Sequence, residues 1–216
     1  MADAKERLIQ LLALAAERRW SPLARELCDL ILYWPADWHD TMRAPVIALF
    51  ETAMREADSE TQAVLAGRMA GHADIPLKLM NALYLAAPAP LRREILMRNE
   101  LEGPEPEPVA IDHTAVLAAA RARQGDFAGT LARLSAIPRR TLMLILGDAS
   151  GEPLAVLCRG LGLDRASFSA IALLRGAPDL PLAVFDTVAP KAAVLLVHSW
   201  CHHAADTQPE HIQAAE

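Results

Sequence analysis

Apolar residues recur along this chain at helical spacing. After Pro45 they fall at Val46, Leu49, Phe50, Ala53, Met54 and Ala57, a single stripe of the i, i+3, i+4, i+7 kind. After Pro76 the same period carries Leu77, Met80, Leu83 and Tyr84, and further on it carries Phe127, Leu131 and Leu134. Two apolar runs, Leu142 to Leu146 and Val194 to Val197, fit a buried strand as well as a buried helix by periodicity alone. Neither has a partner strand elsewhere in the chain, so both are read as helix.

The punctuation agrees with that period. Pro22, Pro45, Pro76, Pro90, Pro138, Pro153, Pro181 and Pro190 each head an apolar-periodic run. Proline is tolerated in a first helical turn because the amides there have no intrahelical partner. Ser21, Asp74, Asp112, Asp126, Asp164 and Asp179 stand where N-caps belong, and Ser59 with Gln62 has capping-box spacing. The prediction is an all-α chain of roughly ten to twelve helices, about 10–15 residues each, in short antiparallel pairs as in an α-solenoid array. No strict sequence repeat accompanies it. Asn-Glu-Leu-Glu-Gly-Pro-Glu-Pro-Glu-Pro-Val-Ala-Ile-Asp, from Asn99 to Asp112, loses backbone donors at its prolines and repels itself at its glutamates. It is read as a linker over 99–111, between helical halves at 1–98 and 112–205, with a frayed polar tail at 206–216.

Composition narrows the class. Of 216 residues 53% are hydrophobic, mostly Ala and Leu, which favour helix over strand. The formal charge of -6 lacks the basic surplus with which proteins neutralise phosphates, so nucleic acid and anionic membrane are not the expected partners. Cys28, Cys158 and Cys201 are odd in number and widely spaced, which implies a reducing, cytoplasmic setting rather than a disulfide framework. The first residues are charged and amphipathic, unlike a signal peptide, and no run reaches the roughly 18 apolar residues of a membrane span.

Leu49-Phe50 through Thr61-Gln62-Ala63-Val64-Leu65-Ala66-Gly67-Arg68-Met69-Ala70, then Ile75-Pro76 and Leu85 to Leu91, and finally Gly151-Glu152-Pro153 through Asp164-Arg165-Ala166-Ser167-Phe168 form one pattern. It resembles a bacterial family known as domain of unknown function 2336, over residues 45 to 200. The resemblance implies an α-helical, HEAT-like fold and brings no catalytic residues with it.

Two local patterns carry candidate chemistry. In the stretch from Gly151 to Arg175, Cys158, Gly162, Leu163, Ser167 and Phe168 occupy the small, turn, apolar, hydroxyl and apolar places of a helix-turn-helix. The second helix, from Arg165, is apolar nearly all round, which suits a packed hairpin better than a helix in a DNA groove. His198 and His202 share a helix face at i, i+4, a zinc-ligand spacing, with Cys201 and His203 beside them and His211 further on. Cys201 lies on another azimuth and no glutamate stands between the histidines, so the reading preferred here puts Val197 and Trp200 in the core and the histidines in solvent. Phosphate-loop, nucleophile-elbow and dinucleotide motifs are missing from the sequence. The arginine pairs 18–19 and 139–140 read as solvated helix ends. Trp20, Trp34 and Trp38 read as packing, or as a partner-binding anchor if exposed. No catalytic, cofactor or metal residue is assigned. The expected function is a non-enzymatic protein-interaction or regulatory module, and the alternative is a DNA-binding regulator using 151–175.

Overall fold

A computed structural model describes residues 2–36, 38–69, 72, 75–107, 109–122, 125–175 and 182–205; for residues 2–5, 40 and 202–205 it describes the backbone alone. Asp74, Asp179, Pro181 and the tail at 206–216, all given roles above, lie outside the described residues. The described residues form thirteen α-helices and one 3₁₀ turn and contain no strand. No helix among them is long and apolar enough to cross a membrane.

The chain divides into two compact units, residues 1–95 and 96–216. The first holds α1 (Ala2–Ala16), α2 (Trp20–Leu32), the 3₁₀ turn (Asp40–Met42), α3 (Arg43–Glu56), α4 (Ser59–Met69), α5 (Leu77–Leu83) and the start of α6 (Ala89–Glu102). α2 packs on α1, α3 and α4. Its inner face, Leu23, Ala24, Leu27, Cys28, Leu30 and Ile31, is buried, and Phe50, Ala53 and Met54 of α3 are buried as well. The second unit holds the end of α6, α7 (His113–Arg121), α8 (Phe127–Ser135), α9 (Arg139–Gly147), α10 (Glu152–Gly160), α11 (Arg165–Leu174), α12 (Val184–Thr187) and α13 (Pro190–Ala205). α10 is its centre, packed by α9, α11, α12 and α13, with every residue from Pro153 to Cys158 buried; α7 packs on both α8 and α11. Both ambiguous runs are helix, one in α9 and the other in α13.

The prolines explain many of the starts. Pro76 and Pro138 are N-caps, Pro190, Pro90 and Pro153 are first or second helical residues, and Pro22 and Pro45 are third. Asp112, Asp126 and Asp164 accept bonds from the amides of Ala115, Gly129 and Ser167 at 3.0, 3.0 and 2.8 Å, as N-caps do.

Three local expectations need correction. The cap of α4 is Asp58, not Ser59: its carboxylate accepts from Thr61 N at 2.7 Å and from Thr61 Oγ1 at 2.9 Å. Gln62 turns back to the carbonyls of Met54 and Ala57 instead of closing a box. Ser21 sits inside α2, where its hydroxyl donates to Asp58. Those bonds to Ser21 and Thr61 hold the Asp58 carboxyl at about 2. Finally, Asn99 to Glu102, placed in the linker above, are the last turn of α6, closed by an Arg98–Glu102 ion pair and by Gly103 N on the Asn99 carbonyl. Beyond it, 103–107 and 109–112 have no regular structure.

Candidate functional site

The α10–α11 hairpin is built as its residue types dictate. α10 ends in a Schellman turn: Leu163 N bonds the Cys158 carbonyl at 2.9 Å and Gly162 N the Arg159 carbonyl at 3.1 Å. Gly162 takes the left-handed conformation this turn requires, at φ 73°. Asp164 then caps α11, and its carboxyl is held below the usual range by bonds from Ser167. Cys158, Leu163 and Phe168 are all buried, and Phe168 stacks on Phe185 at 5.3 Å. Arg159 lies over the far-chain Phe185 ring at 4.9 Å, and Arg165 is tied to Asp186 at 3.1 Å. The expectation of an α11 suited to burial all round needs revision. Phe168, Ile171 and Ala172 face the core, while Leu173 and Leu174 are 60% and 44% exposed.

Of the histidine cluster, His198 and Cys201 have described side chains, and each bonds a different backbone carbonyl. His198 Nε2 lies 2.8 Å from the Glu107 carbonyl of the Pro/Glu segment, a contact exposed to solvent. Cys201 Sγ donates to the Ser135 carbonyl at 3.2 Å. Val197 and Trp200 are buried, as read from the sequence. The side chains of His202, His203 and His211 lie outside the described residues; within those residues no group of three His, Cys, Asp or Glu is placed to hold a metal ion. Burial pushes the Cys28 thiol up to about 11, the partial opposition of Arg68 notwithstanding, and the Cys158 thiol up to about 12; it raises Cys201 as well. Thiols so raised are poor nucleophiles at neutral pH.

Trp34 and Trp38 meet edge to face at 5.6 Å, and they and Trp20 are half-buried rather than presented as anchors. A groove of about 320 Å³ between α1 and α2 has charged walls, with Arg7, Glu17, Arg19 and Glu26 around Leu11 and Leu14.

A more distinctive surface lies in the second unit. There an open groove of about 350 Å³ is lined by the start of α8, by α9 and by the residue that ends α11. Phe127, Met143, Leu146 and Gly147 form its apolar part, and Arg139 and Arg175 its cationic part. Arg175 lies over the Phe127 ring at 5.3 Å, a cation–π contact. Arg139 is bonded to Asp126 at 3.3 Å, and the Asp126 carboxyl is held below its ordinary range, first by the Gly129 amide and then by Arg139. Met143 and Leu144 on α9 are 52% and 57% exposed. The sequence reading missed this groove. Its one available signal was the Arg139-Arg140 pair heading a run too apolar for a single buried face.

Residues 107–184 match the model of the family described as uncharacterised protein conserved in bacteria (DUF2336). That is the family named above from the residues. The match takes in the α10–α11 hairpin and the groove, covers a little over a third of the chain, and leaves out the Leu49 to Leu91 stretch that also carried the resemblance. No curated protein and no solved structure matches the chain.

Proposed function

We propose that this protein is a non-enzymatic, cytoplasmic interaction module that binds another protein through the groove beside α9. The observation that carries the reading is the apolar surface on and near that groove. Met143, Leu144, Leu173 and Leu174 are large, apolar and exposed, with Arg139 and Arg175 on the groove itself. Apolar surface of this kind stays in water at a free-energy cost of about 25 cal/mol per Å², and a partner that covers it recovers that cost. Arginine beside apolar side chains is the composition of interface hot spots. In this reading the helix pairs form a HEAT-like scaffold whose work is to present that surface, and the three suppressed thiols fit a protein without covalent chemistry. Residence in the cytoplasm rests on the odd, widely spaced cysteines. DNA is not the preferred partner, because the exposed positions of α11 include Ala166, Leu173 and Leu174, and Arg165 is engaged by Asp186.

The test is a paired affinity capture from the native host, with the wild-type chain and a Met143→Glu, Leu173→Glu variant as baits and circular dichroism to show that both are folded. A protein retained by the wild type and lost by the variant supports the reading. Identical captures overturn it.

A further inference from the structure

We infer that the groove beside α9 takes an acidic, apolar peptide segment of a partner protein, with an apolar side chain seated on Phe127, Met143 and Leu146 and a neighbouring Asp or Glu on Arg175. The inference rests on the interaction-module reading and names the chemistry of the partner for that groove.

The two arginines of the groove are not equivalent. Arg139 is held by Asp126 through two guanidinium bonds, from Nε at 3.3 Å and from Nη2 at 3.4 Å. Asp126 is engaged in turn. It caps α8 through the Gly129 amide, and its carboxyl is held below the ordinary range by that amide, then by Arg139 and Arg133. Arg175 stands apart from this set. It is the C-cap of α11, with its amide on the Ile171 carbonyl at 3.0 Å, so its side chain starts from a fixed point. That side chain is exposed, and its guanidinium lies over the Phe127 ring. Among the described residues no carboxylate, carbonyl or hydroxyl bonds the Arg175 guanidinium. A ring supplies no counter-charge, and stacking fixes the guanidinium plane in advance, which lowers the ordering cost of pairing it with a planar carboxylate.

The apolar half lies beside it. Phe127 is buried, Leu146 is half-buried and Met143 is exposed, an unbranched side chain that adapts to what it covers. Gly147 leaves this side open, with nothing within 4 Å of where its Cβ would stand.

The two halves together select the occupant. A free anion would meet one exposed guanidinium, a contact that contributes little in water. Nucleic acid asks for several phosphate-neutralising cations, and this chain has a net charge of -6. A basic peptide would face Arg139 and Arg175 and find Asp126 already bonded. A second copy would bring its own Arg175 to the same place, cation against cation across a two-fold axis. A segment with Asp or Glu within a helical turn of an apolar residue answers both halves. Its apolar side chain covers Met143 and Leu146, and its carboxylate pairs with Arg175 beside that covered surface, where salt screens a charge pair less than on open surface.

The test is selection of a phage-displayed library of random short peptides on the immobilised full chain, followed by fluorescence anisotropy of the selected peptides made synthetically. The selected set is expected to be enriched in Asp or Glu close to Leu, Ile, Met or Phe, with binding that weakens as salt rises. Arg175→Glu and Met143→Glu, each shown to be folded by circular dichroism, are each expected to weaken binding about tenfold or more. Changing the acidic residue of the peptide to Lys is expected to weaken binding to the wild type and to restore it on Arg175→Glu, a reciprocal exchange that a merely structural role for Arg175 does not give. A neutral or basic selected set, no selected peptide at all, or peptides indifferent to both variants overturns the inference. So does a groove already covered by a second copy, read in sedimentation equilibrium as a dimer that Met143→Glu breaks. Peptides weakened by Met143→Glu but not by Arg175→Glu sink the acidic partner and leave the groove reading standing. Identical affinity captures sink that reading whatever the peptides do.

Discussion

Replacing Gly160 by alanine should destabilise the second unit, against the usual preference of helices for alanine. Gly160 ends α10 where it crosses α13. A Cβ there would stand 2.5 Å from Val197 Cγ2 and 2.6 Å from the Ala193 carbonyl oxygen. Ordinary contact begins near 3.4 Å, so the neighbours must retreat by most of an ångström. Val197 is fully buried and β-branched, with little rotamer freedom to yield. The Ala193 carbonyl belongs to α13 and moves only if that helix moves. Overpacking of this kind costs about 1–3 kcal/mol, while the gain in helix propensity, about 1 kcal/mol in a helix interior, is smaller at a terminal residue. The net expectation is a loss of about 1–2 kcal/mol. For a chain of this size each kcal/mol moves the melting temperature by about 2–4 °C, so the fall is roughly 2–8 °C by thermal circular dichroism. Gly147→Ala is the matched control: with nothing near the new methyl it should melt at or slightly above the wild type. A Gly160→Ala protein as stable as the wild type would refute the close crossing of α10 on α13.

Phe168→Ala removes a fully buried ring stacked on Phe185 and should cost about 3–5 kcal/mol in urea unfolding; a loss below about 1 kcal/mol would make the hairpin peripheral. Asp58→Asn tests the cap of α4. The folded carboxyl titrates at about 2, below its ordinary 3.8, so its stabilisation is present above the ordinary value and is lost as pH falls through about 2. The difference in melting temperature between wild type and variant should therefore close as acid is added over that window, and a difference constant with pH would contradict the assignment. Fluorescence anisotropy with random-sequence duplex DNA should show no salt-dependent binding at near-physiological ionic strength. A steep salt slope abolished by Arg165→Glu with Arg175→Glu would promote the DNA-binding alternative.

Much of the helical frame could be read from local chemistry. Pro138, Pro153 and Pro190 mark starts because a missing amide proton costs nothing there, and Asp112, Asp126 and Asp164 cap because a carboxylate two or three residues ahead of free amides bonds them wherever the fold places the helix. Contacts between residues distant in sequence left no local trace. Asp58, rather than Ser59, caps α4 in a setting completed by Ser21 from another helix, 37 residues away. His198 meets a carbonyl 91 residues back, a contact no local pattern signals. The groove was hidden for a different reason. In Leu142 to Leu146 nearly every residue is apolar, so the pattern carries no trace of which side is covered. Only packing shows that Leu142 and Ile145 go inward while Met143 and Leu144 stay out. The same holds for Leu173 and Leu174 at the end of α11.

The central claim is that this outward apolar surface is where a protein partner binds. Its most direct test is quantitative comparison of what folded wild-type and Met143→Glu, Leu173→Glu baits retain from the native host. The account predicts at least one protein depleted about tenfold or more by the variant, equivalent to about 1.4 kcal/mol of binding free energy. Equal recovery of every retained protein by the two baits would contradict it.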